Sequence, residues 1–424
     1  MTFLALVVLP MALLVMGVPI FAVLIVATLA GILLSVNPVQ AIHSAMFGSL
    51  DIFPLLAVPL FVYAGDIMSR GGIARRLVDL ILSMIGAIRG ALGIATIAAC
   101  EVFSVMSGSS IACVAAIGKT MIPSLRKNGY GEHFPVSLVT ATGVIDIITP
   151  PSITMIIYGI VAQQSVPHLF LAGFPAGILI GLALAVYVVW YARKKKIPVV
   201  APTERKGVRV ALKEATWSLF APVVIFGGIY GGLFTPTEAA GVACVYAIIV
   251  SVFIHRELTW RELWSITTDS ALLSGQILII VSAAGGFAWL ITTSGYPQQL
   301  VASVQGLQLQ TWMLLLFINV ILLFVGSVLE PPAAILLLTP LITPIVYAAG
   351  VDPIHFGIIV TVNLAIGMFM PPFGLNLFAA HALFKTPLQE LYRGVLPFLA
   401  IYLAMLLLIT YVPAITLVPL ALLK

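Results

Sequence analysis

Two pairs of adjacent prolines interrupt two otherwise apolar stretches of the chain, Thr149-Pro150-Pro151-Ser152 and Met370-Pro371-Pro372-Phe373. We call the sequence separation from Pro150 to Pro371 the repeat offset. Proline lacks a backbone donor and clashes with the preceding turn, so each pair ends one helix and frees carbonyl groups before the next helix begins. At membrane depth, freed backbone groups persist only where protein encloses them or where they line a polar cavity. Each pair therefore predicts a broken helix at a binding site.

The composition predicts a membrane protein that crosses the bilayer many times, because 61% of the 424 residues are apolar and only 8% are charged. The first apolar run, residues 3–36, has no basic residue before it and is too long for a signal-peptide core, so we expect a retained span. The three cysteines lack CxxC spacing, which argues against disulfides and metal clusters. Lysine and arginine act here as topological signals, and the net charge of +5 does not indicate nucleic-acid binding.

Apolar runs of spanning length predict the transmembrane segments. They cover residues 4–36, 52–69, 136–163, 169–192, 216–234, 236–254, 266–292, 354–380 and 395–418. Two further runs, 91–127 and 310–349, are interrupted by Ser107-Gly108-Ser109-Ser110 and by Glu330-Pro331-Pro332. A run of this kind either spans the membrane or enters and returns as a re-entrant hairpin.

The distribution of basic residues decides between these alternatives. Eight of the twenty basic residues lie between Arg193 and Lys213, which predicts a cytoplasmic linker. If both interrupted runs are re-entrant hairpins, nineteen of the twenty fall on the cytoplasmic side and only Lys424 falls outside. The predicted topology therefore has the N-terminus inside and the C-terminus outside, with one hairpin entering from each side of the membrane.

The two halves of the chain are related by the same repeat offset. Residues 103–151 align with 324–372 without a gap, including Pro123 with Pro344, Gly129 with Gly350, and both proline pairs. An odd number of predicted spans separates the copies, so the second copy is inverted relative to the first. Broken helices at matched positions of an inverted repeat are typical of secondary transporters whose binding site lies at the repeat interface.

Several motifs together resemble a known family. They are Gly48-Ser49-Leu50, Pro59 through Met68 (PLFVYAGDIM), Met106-Ser107-Gly108-Ser109-Ser110, Pro150-Pro151-Ser152-Ile153, Phe234 through Ala240 (FTPTEAA), Asp352 through Gly357 (DPIHFG) and Pro371 through Leu377 (PPFGLNL). The chain is similar over nearly its whole length to the large membrane subunit of tripartite ATP-independent periplasmic (TRAP) transporters. The resemblance implies sodium-driven uptake of an organic acid across the bacterial inner membrane. A soluble periplasmic binding protein would deliver the substrate, and a separate small membrane subunit would be a partner.

The resemblance also implies an elevator-type division into a scaffold and a transport domain. We expect scaffold spans and a cytoplasmic arm helix in 1–90, the first transport half in 91–168, and a scaffold span with the basic linker in 169–215. Scaffold spans and the second arm follow in 216–309, the second transport half in 310–385, and a C-terminal span in 386–424. The segment from Gly71 to Ser83, with arginines beside leucines and isoleucines, predicts an amphipathic arm helix. At 424 residues the chain is expected not to carry the small subunit fused to it.

The serine-rich tip of the first hairpin is compatible with simple close packing of helices. A re-entrant tip must also satisfy its backbone, and hydroxyl and carbonyl oxygens are ligands that suit sodium. We therefore predict two sodium sites, one for each hairpin tip and its proline pair, and no other cofactor. The first comprises Ser107, Gly108, Ser110, Asp146, Thr149 and Pro150, and the second comprises Gly326, Ser327, Glu330, Gly367, Met370 and Pro371.

No arginine is evident within the predicted spans to hold a carboxylate, so we expect helix N-termini to attract the substrate with their partial positive charge. The predicted substrate residues are Ser109, Ser152, Pro332, Phe373, Gly374 and Asn376. Dicarboxylates, sialic acid, sugar acids and sulfonates all fit this chemistry.

Three acidic residues lie within predicted membrane segments, where charge is costly and often functional. For Glu101, a hydrogen bond between helices and a functional role both stay open. Asp146 aligns with Gly367, and the family that the chain resembles usually carries glycine at both positions. Met370 stands where that family has threonine. These departures predict a carboxylate in the first sodium site and backbone carbonyls in the second, with Glu330 near enough to supply charge.

Two other classes of function are compatible with parts of the sequence. An intramembrane serine protease would use a serine of the Ser-Gly-Ser-Ser segment, but no base is evident at that depth except Lys119. A passive anion channel rarely needs duplicated broken helices. Within the transporter class, the alternative is a single-component sodium- or proton-coupled symporter that works without a binding protein.

Overall fold

The computed structural model describes residues 8–33, 40–85, 88–199 and 207–422, and all regular structure within these ranges is helical. Nine helical segments of the described chain are long and apolar enough to cross a membrane. The chain is thus an all-α polytopic membrane protein, as the composition predicts.

In its described residues the first repeat has eleven α-helices. In chain order they are α1 (Leu9–Val15), α2 (Ile20–Leu33), α3 (Gln40–Gly48), α4 (Ala57–Arg70), α5 (Ile73–Met84), α6 (Ala91–Ser107), α7 (Ser110–Lys127), α8 (Phe134–Thr142), α9 (Ile145–Ile148), α10 (Ile153–Val161) and α11 (Val166–Lys194). A 3-10 turn, Phe53–Leu56, leads into α4. The linking helix α12, Val208–Tyr230, follows.

The second repeat consists of nine α-helices. They are α13 (Pro236–Ile248), α14 (Trp260–Thr293), α15 (Tyr296–Gly306), α16 (Thr311–Val328), α17 (Pro331–Ala348), α18 (Pro353–Gly367), α19 (Leu375–Phe384), α20 (Leu388–Tyr411) and α21 (Ala414–Leu422). A π-helical turn, Ile249–Ile254, extends α13.

The repeat offset is confirmed at the level of whole helices. Helix α7 begins at 110 and ends at 127, and α17 begins at 331 and ends at 348, so the repeat offset separates both their first and their last residues. The pairs α5 and α15, α6 and α16, α10 and α19, and α11 and α20 correspond to within a few residues at their first residues. The repeat therefore extends well beyond the stretch in which residue identities are visible.

Both interrupted runs form helical hairpins, as predicted. Helices α6 and α7 pack against each other, and the chain turns between them at Gly108, whose φ of +63° favours glycine. Helices α16 and α17 form the second hairpin, in which Leu329 is extended and Pro331 occupies the first helical position, where its missing N–H costs nothing.

The hairpins enter from opposite sides of the helical bundle. The first opens on the side that carries Arg70, Arg126 and Lys194, which we call the basic side. Contacts join the elements of this side, since Arg70 pairs with Asp269 of α14 and Tyr191 donates to the Tyr130 carbonyl. The second hairpin opens on the opposite side, which gives the inverted-topology repeat.

Each broken helix has a proline pair at its centre. Helices α8 and α9 lead to the first pair and α10 continues beyond it, whereas α18 leads to the second pair and α19 continues. The Pro150–Pro151 and Pro371–Pro372 bonds are both cis. Every residue of α18 from Ile354 to Gly367 is buried, as is every residue of α8 from Pro135 to Thr142. The broken helices thus form the centre of the protein, where packed side chains surround the freed backbone.

Some predicted boundaries are wrong at the chain ends. In its described part, the first predicted span is two helices, α1 and α2, because Gly17 has a φ of +78° and Pro19 follows it. The last span ends at Tyr411 and not at 418, because Pro413 cannot continue the helix, and α21 follows separately. Residues 4–7 and 34–36 of the first predicted span, and Lys424, lie outside the described residues.

The predicted arm helix is present as α5, which buries Ile73, Leu77 and Val78 against α6 and α12. Helix α11, which the sequence assigns to a scaffold, packs against α6, α9, α10, α18, α20 and α21. The packing therefore marks no boundary at residue 169, and the division into scaffold and transport domain stays a prediction.

Candidate ion and substrate site

A cavity of about 390 Å³ lies where both hairpin tips and both helix breaks meet. This volume is in the range of small-molecule sites. The tips contribute Gly108 to Ala112 and Glu330 to Pro332, and the breaks contribute Ile147, Ile153, Thr154, Met368 and Leu375. Asp66 of α4 and Leu273 and Ile277 of α14 close the remaining wall. The inverted repeat thus places its four chain breaks around one shared cavity.

Four helix N-termini border this cavity, those of α7, α10, α17 and α19. Their unsatisfied N–H groups and the helix dipoles give each a partial positive charge. Ser152 caps α10, because its hydroxyl accepts from the Met155 N–H, and it donates to the Ile147 carbonyl across the break. Glu330 is the N-cap residue of α17. A small anion within the cavity would meet favourable dipoles from both repeats.

Side chains hold the first hairpin tip against the first break. Ser107 donates to the Asp146 carboxylate over 3.4 Å and accepts from the Ser109 N–H over 3.2 Å. Asp146 is fully buried, and its second oxygen, Oδ1, has no hydrogen-bond partner. A buried carboxylate oxygen without a donor is costly, and a cation at this point would satisfy it.

Thr149, directly before the first proline pair, turns its side chain away from the cavity. Its hydroxyl donates to Glu101 Oε2 over 2.9 Å. Gly177 of α11 leaves room for this contact, since a Cβ there would lie 2.2 Å from Thr149 Oγ1. Of the two readings of Glu101 that the sequence leaves open, the hydrogen bond between helices is present.

One hydrogen bond joins the two repeats at the cavity. Ser110, the first residue of α7, donates to Asn376 Oδ1 of α19 over 3.0 Å. Both residues are buried, and the amide nitrogen of Asn376 has no partner. The amide N–H groups of Asn376 are therefore buried and unpaired next to Ser110 of the cavity wall.

Backbone contact holds the second hairpin tip against the second break. A Cβ on Gly367 would lie 2.2 Å from the carbonyl carbon of Gly326, so the two chains approach as closely as glycine permits. Ser327 donates within its own helix to the Phe324 carbonyl. Cation ligands at this tip would therefore be mainly carbonyl oxygens.

The structure places five of the eighteen predicted site residues in the lining of the cavity at the tips. Of the substrate candidates, Ser109 and Pro332 line the cavity, and Asn376 reaches its wall through Ser110. Ser152 uses its hydroxyl as a cap, and Phe373 and Gly374 lie outside the lining residues. Of the sodium candidates, Gly108, Ser110 and Glu330 line the cavity, and Ser107 and Asp146 lie hydrogen-bonded at the tip. Pro150, Met370 and Pro371 lie within the two breaks. Their roles stay predictions.

Asp66 and Thr154 line the cavity but are absent from the predicted set. Asp66 accepts from Ser270 of α14 over 2.6 Å. An acid one turn before Arg70 resembles the polar end of a span, which hides its position. The signal that would have identified it is a carboxylate within a 14-residue helix of otherwise mainly apolar character.

A second and larger cavity, of about 530 Å³, lies on the side opposite the basic side. It separates α14 and the turn before α4 from α10 and α17, and its polar groups are Ser49, Gln163, three threonines and Tyr347. No hairpin tip reaches it. The cavity at the tips is therefore the better candidate for recognition, although it is smaller.

Inverted repeats, re-entrant hairpins and helices broken at a central cavity define a membrane transporter. The solved structure of the Alcanivorax borkumensis YdaH transporter has this fold, with a TM-score of 0.68 over 96% of this chain and 98% of that chain at 12% identity. The profile of the DctM component of tripartite ATP-independent periplasmic transporters matches residues 7–415.

Curated relatives agree with the profile. The chain is 42% identical over 404 residues to the isethionate TRAP transporter permease protein DctMQ of Oleidesulfovibrio alaskensis, covering 95% of this chain and 64% of that protein. It is 40% identical to the C4-dicarboxylate TRAP transporter large permease protein DctM of Pseudomonas aeruginosa, covering 91% and 90%. The chain belongs to the DctM family and is a large permease subunit of a TRAP transporter.

Proposed function

We propose that the chain imports a small organic acid across the bacterial inner membrane together with sodium ions. The substrate occupies the cavity between the hairpin tips, within reach of Ser109, Pro332 and Asn376. The relatives named for isethionate and for C4-dicarboxylates support a small organic anion as the substrate class.

The observation that carries the proposal is the charge of the cavity wall. Its two ionisable residues, Asp66 and Glu330, are both acids, and none of its lining residues is basic. An organic anion cannot enter a space bordered by two carboxylates unless cations enter with it, because like charges repel strongly at low dielectric. Bound cations would turn this repulsion into attraction, so substrate binding depends on ion binding.

Sodium is the proposed cation because the tips offer hard oxygen ligands. At the first tip these are Ser107 and the unpartnered oxygen of Asp146. At the second tip they are the carbonyl oxygens around Gly326 and Gly367, with Glu330 nearby. Oxygen atoms of this kind bind hard cations.

The transport movement that we propose is an elevator shift of the hairpins and broken helices relative to α4 and α14. Two cavities support this, one at the tips and one on the opposite side, since both lie along the boundary between these two groups of helices. A periplasmic binding protein delivers the substrate, and a small membrane subunit completes the complex. The name DctMQ of one relative and the 64% of its length that the chain spans support a second membrane component.

Uptake into proteoliposomes tests the proposal. We expect uptake only when the small subunit, the binding protein loaded with substrate, and an inward sodium gradient are all present. Isethionate and succinate serve as the first two probes. Equal uptake of free substrate by this chain alone would leave a single-component symporter, and uptake without sodium would remove the coupling.

The proposed orientation places the basic side in the cytoplasm. Lys195 is exposed on the basic side and Gln305 is exposed on the opposite side, and the three native cysteines are buried. In intact cells an impermeant thiol reagent should label the Gln305→Cys variant and spare the Lys195→Cys variant. The reverse pattern would invert the topology.

A further inference from the structure

One carboxylate in the lining of the cavity at the tips comes from outside the hairpins and the broken helices. Asp66 of α4 forms one wall together with Leu273 and Ile277 of α14, and we call this the α4/α14 wall. The rest of the lining comes from the helices of the two tips and the two breaks, and we call it the tip wall. The two walls therefore belong to different groups of helices.

Neighbouring contacts hold the Asp66 carboxylate in place. Ser270 of α14, which is 2% exposed, donates to Asp66 Oδ2 over 2.6 Å. Gly65, the preceding residue of α4, packs on the first tip, since a Cβ there would lie 2.8 Å from the carbonyl oxygen of Ser107. The carboxylate thus has a fixed place beside the first tip before any ligand binds.

No basic side chain of the described residues pairs with Asp66. The described salt bridges do not include it, and Arg70, one turn further along α4, pairs with Asp269 over 3.0 Å. None of the residues that line the cavity is basic. A partly buried carboxylate with a hydroxyl donor and no paired cation is a strong acceptor for a cationic group of a ligand.

The tip wall has the opposite polarity. The N-termini of α7, α10 and α19 border the cavity with partial positive charge. At the N-terminus of α17, the N-cap residue Glu330 offsets this charge. The buried amide nitrogen of Asn376 is unpaired next to Ser110 of the tip wall. Groups that attract an anion and a carboxylate that attracts a cation therefore line different walls of one cavity.

We propose that the substrate is a zwitterion, an organic acid that also carries a cationic amino group. Its acid group binds at the helix N-termini of the tip wall, and its ammonium group donates to Asp66. This inference rests on the proposed transport function and deepens it, because the substrate's own cation meets one of the two wall acids. An organic acid without an amino group brings no cation to Asp66 and binds more weakly.

Ligand binding to the purified large and small subunits tests the inference without transport. Taurine and isethionate are matched probes, because both are two-carbon sulfonates and an amino group in taurine replaces the hydroxyl of isethionate. The pair 4-aminobutyrate and succinate makes the same comparison for carboxylates. A ligand that binds only the folded protein raises its melting temperature by mass action, so concentration series in sodium give the dissociation constants.

We expect the native protein to bind an amino probe at least about tenfold more tightly than its matched partner, as one hydrogen bond to a charged group contributes. If neither amino probe binds more tightly than its partner, or if neither binds, the proposal is overturned. This comparison needs no variant, so it decides the proposal even if a substitution prevents folding.

Three variants test the contact with Asp66. Asp66→Asn should lose the preference for the amino probe, whereas Ser270→Ala removes the donor, keeps the charge and should retain the preference. Glu330→Gln removes the acid of the tip wall and should shift the preference less. An unchanged preference in Asp66→Asn, or an equal shift in Glu330→Gln, overturns the assignment to Asp66.

Uptake into proteoliposomes separates this inference from the proposed function. Sodium-driven uptake of isethionate and succinate, with no tighter binding of the amino probes, overturns the zwitterion and leaves the proposed function standing. Uptake that needs no sodium removes the proposed coupling, whereas a measured preference for the amino probes still stands.

Discussion

The two hairpin tips occupy equivalent places in the fold but are held in different ways. Side chains hold the first tip, where Ser107 contacts Asp146, and Thr149 of the adjacent break contacts Glu101 further along α6. Backbone contact holds the second tip, where Gly367 lies against Gly326. Gly367 is the counterpart of Asp146 at the repeat offset. The repeat therefore preserves where the helices break, and it leaves each half free to use its own chemistry around the break.

The largest effect is expected from adding one carbon atom at the second tip. In Gly367→Ala the new Cβ would lie 2.2 Å from the Gly326 backbone, which cannot move aside as a flexible side chain would. Overpacking of this kind costs about 1–3 kcal/mol or more, and here it also separates the carbonyl ligands of the second site. We expect a lower melting temperature for the purified protein and almost no uptake.

Two variants make this comparison specific. Gly275→Ala on α14 adds a Cβ with nothing within 4 Å, so the melting temperature should stay near that of the native protein. Asp146→Gly gives the first tip the residue of the second and should be tolerated far better than Gly367→Ala. If Gly367→Ala and Gly275→Ala had equal melting temperatures, the close contact between Gly367 and the Gly326 backbone would be contradicted.

An intermediate effect is expected from removing the charge of the first tip. Asp146→Asn keeps the size of the side chain and its contact with Ser107 but loses the negative charge that we assign to the first sodium site. At an effective dielectric constant of about 20, a carboxylate about 4 Å from a cation contributes about 4 kcal/mol of attraction. Losing about 1.4 kcal/mol of this attraction lowers the sodium affinity about tenfold. We expect the sodium concentration for half-maximal uptake to rise at least that much.

The matched variant for the second tip is Glu330→Gln, which removes a charge that borders the cavity but does not touch the first tip. If both variants raise the sodium requirement equally, the two tips do not differ in charge as we propose. An unchanged sodium dependence in Asp146→Asn, with uptake preserved, would make Asp146 a structural residue.

The smallest effect is expected at the hydrogen bond between the repeats. Ser110→Ala removes the donor to Asn376 Oδ1, and Asn376→Ala removes the acceptor together with the free amide. A neutral hydrogen bond of this kind contributes about 1 kcal/mol, or about fivefold in apparent substrate affinity. A double-mutant cycle on the substrate concentration for half-maximal uptake measures the coupling. Additive losses would show that the two repeats bind substrate independently.

Much of the frame is predictable from proline, glycine and charge. The proline pairs mark both breaks because proline stops a helix wherever it occurs, and Gly108 marks a tip because its backbone conformation favours glycine. The basic residues between Arg193 and Lys213 predict a cytoplasmic linker, and the odd number of spans between the copies predicts hairpins of opposite direction. These are local properties of the chain, and they do not depend on contacts with distant residues.

Contacts between distant residues are less predictable. Ser110 and Asn376 are 266 residues apart, and no local pattern pairs them. Thr149 is expected at the first ion site, yet its hydroxyl points to Glu101, because α11 presents glycines there. Asp66 is missed because its distance from the tips becomes short only when α4 packs beside them.

The length of α14 has a consequence for where the bilayer ends. Its 34 residues span about 51 Å at 1.5 Å per residue. The hydrocarbon core is about 30 Å thick and helix tilt rarely exceeds about 40°, so about 9 Å of its height, or about two turns, must extend past the acyl chains.

The part of α14 that extends past the acyl chains lies at the end that carries Arg261 and Glu262. The other end, Ala283 to Ile291, is largely apolar and buried. The acyl chains therefore stop close to the Arg70–Asp269 salt bridge, which is half exposed on both sides. Asp66 is four residues before Arg70, about 6 Å further along its helix. The Asp66 carboxylate in the cavity wall is thus only one helical turn from the headgroup layer, so this wall of the cavity lies near the edge of the acyl chains.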